Sequence, residues 1–493
     1  MLFNSWQFIF LYIPVTFFVY FFLNKVRLLI AGRVWLVTAS LFFYAYWDAK
    51  YLPLILCSIL FNFAIGTGLT QSHNELTQTR KKKYSNRKIV LLIGIFANIC
   101  LLGYYKYTDF LLSNINFIFG ENYNLHHIVL PLAISFFTFT QIAYLVDSYR
   151  GETSEYDLLS YSLFVTFFPH LIAGPIVHHR HIMPQFVSRW AVFQKTSNIQ
   201  KSLFIFSIGL FKKVVIADNF SLYADYGFDG GAALNLFSAW ATSLSYTFQI
   251  YFDFSGYCDM AIGSSLLFNI WLPINFNSPY KALNIQDFWR RWHITLSCFL
   301  RDYLYIPLGG NRCSQLRIYM NLFITFVLGG LWHGATWLFV IWGAMHGVAL
   351  IINRIWKGLP FTMPSYLAWL LTFIFVNTSW VFFRAKTLDD AIRILKGMVD
   401  IRSVTWSSST SDLAWAGWMS DILLKIFPAS FIGQLPIYLF ISLAFVILSY
   451  SNSIEMLNKN INLNKMTYSA ILFSTSIYFM LSSTSTVFLY FNF

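Results

Sequence analysis

The sequence predicts an all-α polytopic membrane protein, and three observations carry that prediction. Charged residues are only 11% of the 493-residue chain, against roughly 25% in an ordinary soluble domain. Hydrophobic residues make up 57%, and the mean hydropathy is +0.57. The apolar residues fall in long runs that suit helices better than the alternating strands of a membrane barrel. Too few charges remain to coat a soluble fold of this size. The same numbers exclude disorder, which needs low hydrophobicity and high charge. Five Cys without CxxC spacing exclude a disulfide scaffold and read as packing thiols.

A spanning helix needs about 20 mostly apolar residues. Candidate spans lie near 7–24, 34–48, 51–70, 89–105, 128–146, 159–175, 202–218, 234–252, 259–273, 320–342, 343–356, 365–384, 431–450 and 468–483. Some are too short to cross alone, so about 11 to 13 crossings are expected, with short pieces buried, re-entrant or interfacial. Segment 7–24 does not read as a signal peptide: it lacks a basic n-region, and Asn24-Lys25-Val26 is no small-residue cleavage site. Lys25, Arg27 and Arg33 follow the first span, and Arg80, Lys81, Lys82, Lys83, Arg87 and Lys88 follow the third. The positive-inside rule puts both clusters in the cytoplasm and the N-terminus outside. The net charge of +13 is read the same way, as loops near anionic lipid, and no nucleic-acid partner is expected.

The chain reads as one integral-membrane domain, 1–493, with a connector at 385–430. In that connector Thr387-Leu388-Asp389-Asp390 looks like a helix start with acids in its first turn, and Ser407-Ser408-Ser409-Thr410-Ser411 looks like a loop.

Ionisable residues inside apolar sequence are costly in lipid and mark cavities or partners. Three places qualify. In Gln286-Asp287-Phe288-Trp289-Arg290-Arg291-Trp292-His293, continuing to Ser297, a helical reading pairs Asp287 with Arg291 at i,i+4 and sets Arg290 and His293 on a neighbouring face. Arg301-Asp302-Tyr303 follows it. An interfacial Arg/Trp anchor explains the same residues. In Gly329-Gly330-Leu331-Trp332-His333-Gly334-Ala335-Thr336-Trp337, glycines permit close approach and a neutral imidazole suits a general base. A buried, hydrogen-bonded structural histidine is the alternative. His346 is third. Thirteen residues after His333, it shares a site with it only if the chain breaks between them.

His178-His179-Arg180-His181 has no accompanying carboxylate or Cys and points to several sides of any helix, so no metal site is expected. His126-His127 reads as loop. The polarity is concentrated in 286–346 rather than spread over many spans. That pattern favours chemistry over the rival reading of a lipid-linked glycan transporter or flippase.

Several stretches resemble the membrane-bound O-acyltransferase (MBOAT) family. They are Leu130-Pro131-Leu132-Ala133-Ile134-Ser135 through Asp147-Ser148-Tyr149-Arg150; Phe167-Phe168-Pro169-His170 through Gly174-Pro175-Ile176; Tyr251-Phe252-Asp253-Phe254-Ser255-Gly256-Tyr257; and Asn275-Phe276-Asn277 with Pro279-Tyr280. Phe288-Trp289-Arg290-Arg291-Trp292-His293, the run Arg301-Asp302-Tyr303 through Gly309-Gly310-Asn311-Arg312, and Gly330-Leu331-Trp332-His333-Gly334 complete the set. Within the family the chain looks most like the membrane subunit of bacterial alginate and related polysaccharide O-acetyltransferases. The D-alanyl transfer protein of teichoic acid modification is the nearest other branch.

The resemblance implies a helical bundle around a central tunnel in the bacterial cytoplasmic (inner) membrane, with a catalytic core at 275–350. It implies that His333 is catalytic and that His293 fills the second polar position. The expected reaction moves an acyl group, acetyl on this reading, from a cytoplasmic thioester to a hydroxyl outside. The donor is acetyl-CoA or a carrier-bound thioester. The acceptor is an extracytoplasmic polysaccharide or a periplasmic SGNH-type acetyltransferase partner. No bound cofactor is expected. Arg290, Arg291, Arg301 and Arg312, beside Asp302, are candidates to meet donor phosphates. Trp292, Trp332 and Trp337 are expected to wall the site against water, and His346 belongs to the same pattern without an assigned role.

Overall fold

The structure is a computed structural model that describes residues 1–79, 84–153, 157–188, 191–404, 427–482 and 488–489. The basic run Arg80-Lys81-Lys82-Lys83 and the Ser-rich run at 407–411 lie outside the described residues. Among the described residues there are helices and turns and no strand. Among the described residues, five helical stretches are long and apolar enough to cross a membrane: Phe8–Lys25, Ala49–His73, Asn86–Phe119, Trp337–Trp356 and Ser365–Arg384. Leu29–Ala45 and Leu435–Ser449 are shorter apolar helices. The chain is an all-α polytopic membrane protein.

The hub is the 31-residue helix Leu236–Leu266, buried along nearly its whole length. The sequence suggested two spans here, 234–252 and 259–273, whereas one helix runs through Asp253, Gly256 and Asp259. Both carboxylates are paired, and the glycine is a helix contact. Lys213 lies 2.6 Å from Asp253 and 2.9 Å from Asp218, and Lys212 lies 2.7 Å from Asp259. These pairs satisfy charges that would be very costly alone in an apolar interior. At Gly256 the backbone meets the helix Thr196–Phe211: a Cβ on Gly256 would fall 2.7 Å from the Gly209 carbonyl oxygen. Small residues let the two helices touch there.

Polar side chains begin several helices by accepting from backbone N–H groups left over in the first turn. Asn235 accepts from Ser238, Asn284 from Asp287, and Thr387 from Asp390. The Thr387 cap starts the helix Leu388–Val399, whose Gly397 packs closely on Leu234 and Ala239.

The bundle has two distinguishable ends. At one, Arg87 donates to the Tyr149 carbonyl at 2.8 Å, Arg33 lies 3.8 Å from Asp157, and Arg150 donates to the Asp302 carbonyl at 3.4 Å. This is the basic end. At the other, Tyr51 donates to the Val129 carbonyl and Trp337 to Asn114.

Candidate active site

His293 is placed by a break in the chain. The sequence reads as one helix through 286–297, but helix Ile285–Arg291 stops and Ile294–Leu300 starts anew. Arg291 does pair with Asp287, Nε to Oδ1 at 2.9 Å. Trp292 is extended, and His293 sits in the left-handed region at φ 42°, a conformation that costs a non-glycine residue roughly 1–2 kcal/mol. Asn275 holds the break. Its carbonyl accepts from Ile294 N at 3.1 Å, and its Oδ1 accepts from both Thr295 N at 3.2 Å and Thr295 Oγ1 at 2.7 Å. On the near side, Asn277 N donates to the Arg291 carbonyl at 3.0 Å. The segment is no interfacial anchor, since Trp289, Trp292 and His293 are all buried.

His333 is the last residue of helix Gln315–His333, and Gly334 then runs extended. Gly330 lets the next helix, Trp337–Trp356, approach. A Cβ there would strike the Phe339 carbonyl and lie 3.2 Å from the Gly343 Cα. The imidazole is buried, with ring centroids of Trp332, Trp342 and Phe383 at 4.9, 5.2 and 5.2 Å. The His293 and His333 rings are 6.5 Å apart. Phe254 closes the other side of His293 at 4.9 Å. Two buried imidazoles are therefore neighbours in aromatic surroundings, with Trp332 against both rings and Trp342 against His333.

The chain also breaks between His333 and His346, at 334–336, yet Trp342 stands between the two rings. His346 Nδ1 accepts from Trp289 Nε1 at 3.2 Å, which leaves the neutral ring's proton on Nε2, 3.1 Å from Ser379 Oγ. Ser379 in turn donates to the Val376 carbonyl. Both nitrogens of His346 are thus committed to packing partners. Trp337 stands apart from these rings. It is 60% exposed, packs on Phe110 and donates to Asn114.

A cavity of about 930 Å³ opens at the basic end. Arg290 and Arg301 line it, together with Arg354, Lys357, Gln286 and Asn311. Its lining also includes Trp289, Phe326 and Ile294, the residue that follows His293 in the chain. Arg291 and Arg312 do not line it, and Asp302 pairs with Arg301 at 2.6 Å. Arg354 and Lys357 were hidden in the sequence because they look like the basic flank of an apolar span. Lys357 reaches Gln286 Oε1 at 2.6 Å and Arg354 reaches Asn311 Oδ1 at 3.2 Å.

The histidine run diverges. His178 Nδ1 lies 3.0 Å from Tyr303 Oη, which donates to Asp147; His179 packs on Tyr144 and Phe164; His181 faces outward. Among the described residues, no group of three or more His, Cys, Asp or Glu is placed to hold a metal ion.

The helical membrane bundle thus buries two neighbouring imidazoles, and a cavity lined by basic residues includes the residue that follows one of them. The chain belongs to the membrane-bound O-acyltransferase family, whose description matches residues 41–388, and it is an O-acyltransferase. It is 48% identical to the peptidoglycan O-acetyltransferase of Helicobacter pylori, over 100% of this chain and 98% of that protein. It is 41% identical to the Azotobacter vinelandii protein named "Probable alginate O-acetylase AlgI", over 83% and 80% of the two chains. The teichoic acid D-alanyltransferase of Bacillus subtilis is 28% identical over 53% of this chain and 70% of its own.

Proposed function

We propose that this enzyme takes an acetyl group from a thioester at its basic end and delivers it to a hydroxyl of peptidoglycan, directly or through an extracytoplasmic partner transferase. The observation that carries the reading is the pair of buried imidazoles, His293 and His333 with rings 6.5 Å apart, next in sequence to a residue lining the basic cavity. Full-length similarity to a peptidoglycan O-acetyltransferase supports acetyl as the group and peptidoglycan as the acceptor. On this reading the membrane is the bacterial inner membrane, with the basic end cytoplasmic and the N-terminus extracytoplasmic, as the positive-inside rule favours.

A thioester is already activated. The protein must remove a proton from the hydroxyl, stabilise the oxyanion and align the reactants. In the proposed step His333 accepts the hydroxyl proton as the oxygen attacks the thioester carbonyl. His293 donates a hydrogen bond to the oxyanion. The C–S bond then breaks, and the leaving thiolate takes the proton back from His333. Trp292, Trp332 and Trp342 keep water out and so limit hydrolysis. Arg290, Arg301, Arg354 and Lys357 fit the phosphates or acidic surface of a coenzyme or carrier donor.

The test is transfer of radiolabelled acetyl from acetyl-CoA by purified wild type and His333→Ala, with and without peptidoglycan. Label in the glycan with wild type alone supports the reading. Equal labelling by both proteins refutes it.

A further inference from the structure

The backbone around His333 is held by two residues more than 220 positions earlier in the chain. The last C=O groups of any α-helix lack intrahelical donors and carry the negative end of the helix dipole. Here those groups belong to Leu331, Trp332 and His333. Tyr107 Oη donates to the Leu331 carbonyl at 2.7 Å. Lys106 Nζ donates to the Trp332 carbonyl at 2.5 Å and to the His333 carbonyl at 3.2 Å. Its third hydrogen points to Ser135 Oγ at 3.3 Å. The ammonium also lies 5.9 Å from the Trp332 ring centroid, and Trp332 Nε1 donates to the Ser135 carbonyl.

Lys106 and Tyr107 come from a π turn, Gly103–Tyr107, between helices Tyr84–Leu102 and Thr108–Phe119. Such wide turns recur at functional sites. A lysine in an apolar run is costly unless something needs its charge. Here the Lys106 amino group donates to the carbonyls that end a helix, on the turn that carries the catalytic candidate.

We propose that Lys106, assisted by Tyr107, is the positioning residue for His333: it fixes the end of helix Gln315–His333 so that the imidazole faces His293. It acts through the backbone carbonyls and contributes no group to the reacting atoms. The inference rests on His333 being the base in the proposed reaction.

The experiment compares full-length wild type, Lys106→Met, Lys106→Arg and Tyr107→Phe. Steady-state acetyl transfer is measured beside hydrogen–deuterium exchange in the membrane-embedded protein. Lys106→Met should lower kcat on the order of 100-fold, as a misplaced catalytic group does, with KM for the thioester within about twofold. Exchange should quicken in residues 326–336 and stay unchanged in 285–300. Lys106→Arg should restore most of the lost kcat, and Tyr107→Phe should give a smaller loss of the same kind. Unchanged kcat in Lys106→Met, faster exchange across the whole bundle, or failure of Lys106→Arg to rescue a folded protein would overturn the proposal. The exchange contrast needs no acyl transfer. A wild type that fails to turn over therefore counts against the proposed reaction, while the exchange pattern still decides the clamp.

Discussion

The rings of His293 and His333 stand 6.5 Å apart on separate helices, tilted 59° to one another. Neither position comes from a regular helix interior. His293 sits at a left-handed break and His333 at a helix end. Chain irregularities of this kind are tolerated at membrane depth only where protein encloses them, and here they bring two buried imidazoles together.

In the proposed reaction, His293→Ala leaves the general base in place and removes the oxyanion donor. Acetyl transfer should fall on the order of 100- to 1,000-fold, the range for loss of one such donor, with the protein still folded. Single-turnover kinetics on the purified variant check this. A loss below about threefold would remove His293 from the proposed step.

Asn275→Ala removes the acceptor that holds Thr295 N and Oγ1. The freed buried groups should destabilise the protein by about 1–3 kcal/mol, and kcat should fall because His293 is no longer held at its break. Asn275→Asp keeps the acceptor oxygen and should retain more activity than Asn275→Ala. Thermal melting and acetyl transfer on the two variants give the comparison.

Gly343→Ala puts a methyl group against the Phe326 carbonyl, at a distance from which helix Gln315–His333 must retreat. Overpacking of this kind costs about 1–3 kcal/mol, and the melting temperature should fall. Activity should fall further than that of a comparably destabilised variant far from the two histidines. Gel-filtration yield and melting temperature measure the first effect, and transfer at a permissive temperature measures the second.

The double variant Arg354→Ala, Lys357→Ala removes two cations from the basic cavity. KM for an anionic thioester donor should rise at least about tenfold, with kcat little changed, as expected when binding common to ground and transition states is lost. The wild-type KM should rise with ionic strength, and the variant's much less. Initial-rate kinetics at two salt concentrations decide it.

Much of the helical framework was legible because apolar run length is a strong signal in membranes. The predicted span 365–384 matches helix Ser365–Arg384. The division of 234–266 was misread because paired charges and a contact glycine inside one helix look like a break until their partners are known. Helix pattern carried 286–297 straight through His293, since the break depends on Asn275, which lies well before it in sequence. His293 and His333 were legible as polar residues in apolar surroundings and by resemblance, and Arg290 and Arg301 as charges near a turn. Arg354 and Lys357 were masked by the ordinary basic flank of a span. Lys106 was masked as one lysine in an apolar run, its meaning visible only against two carbonyls far along the chain. Trp337 had the right composition for a wall but faces outward, because the chain turns at 334–336 just before it.

The most direct test is a single assay: purified wild type and His333→Ala, each with radiolabelled acetyl-CoA and peptidoglycan, read as label in the glycan. The account predicts labelling by wild type and, for the folded variant, a loss of at least about 100-fold, the scale of a missing general base. Labelling by His333→Ala at the wild-type rate would contradict it.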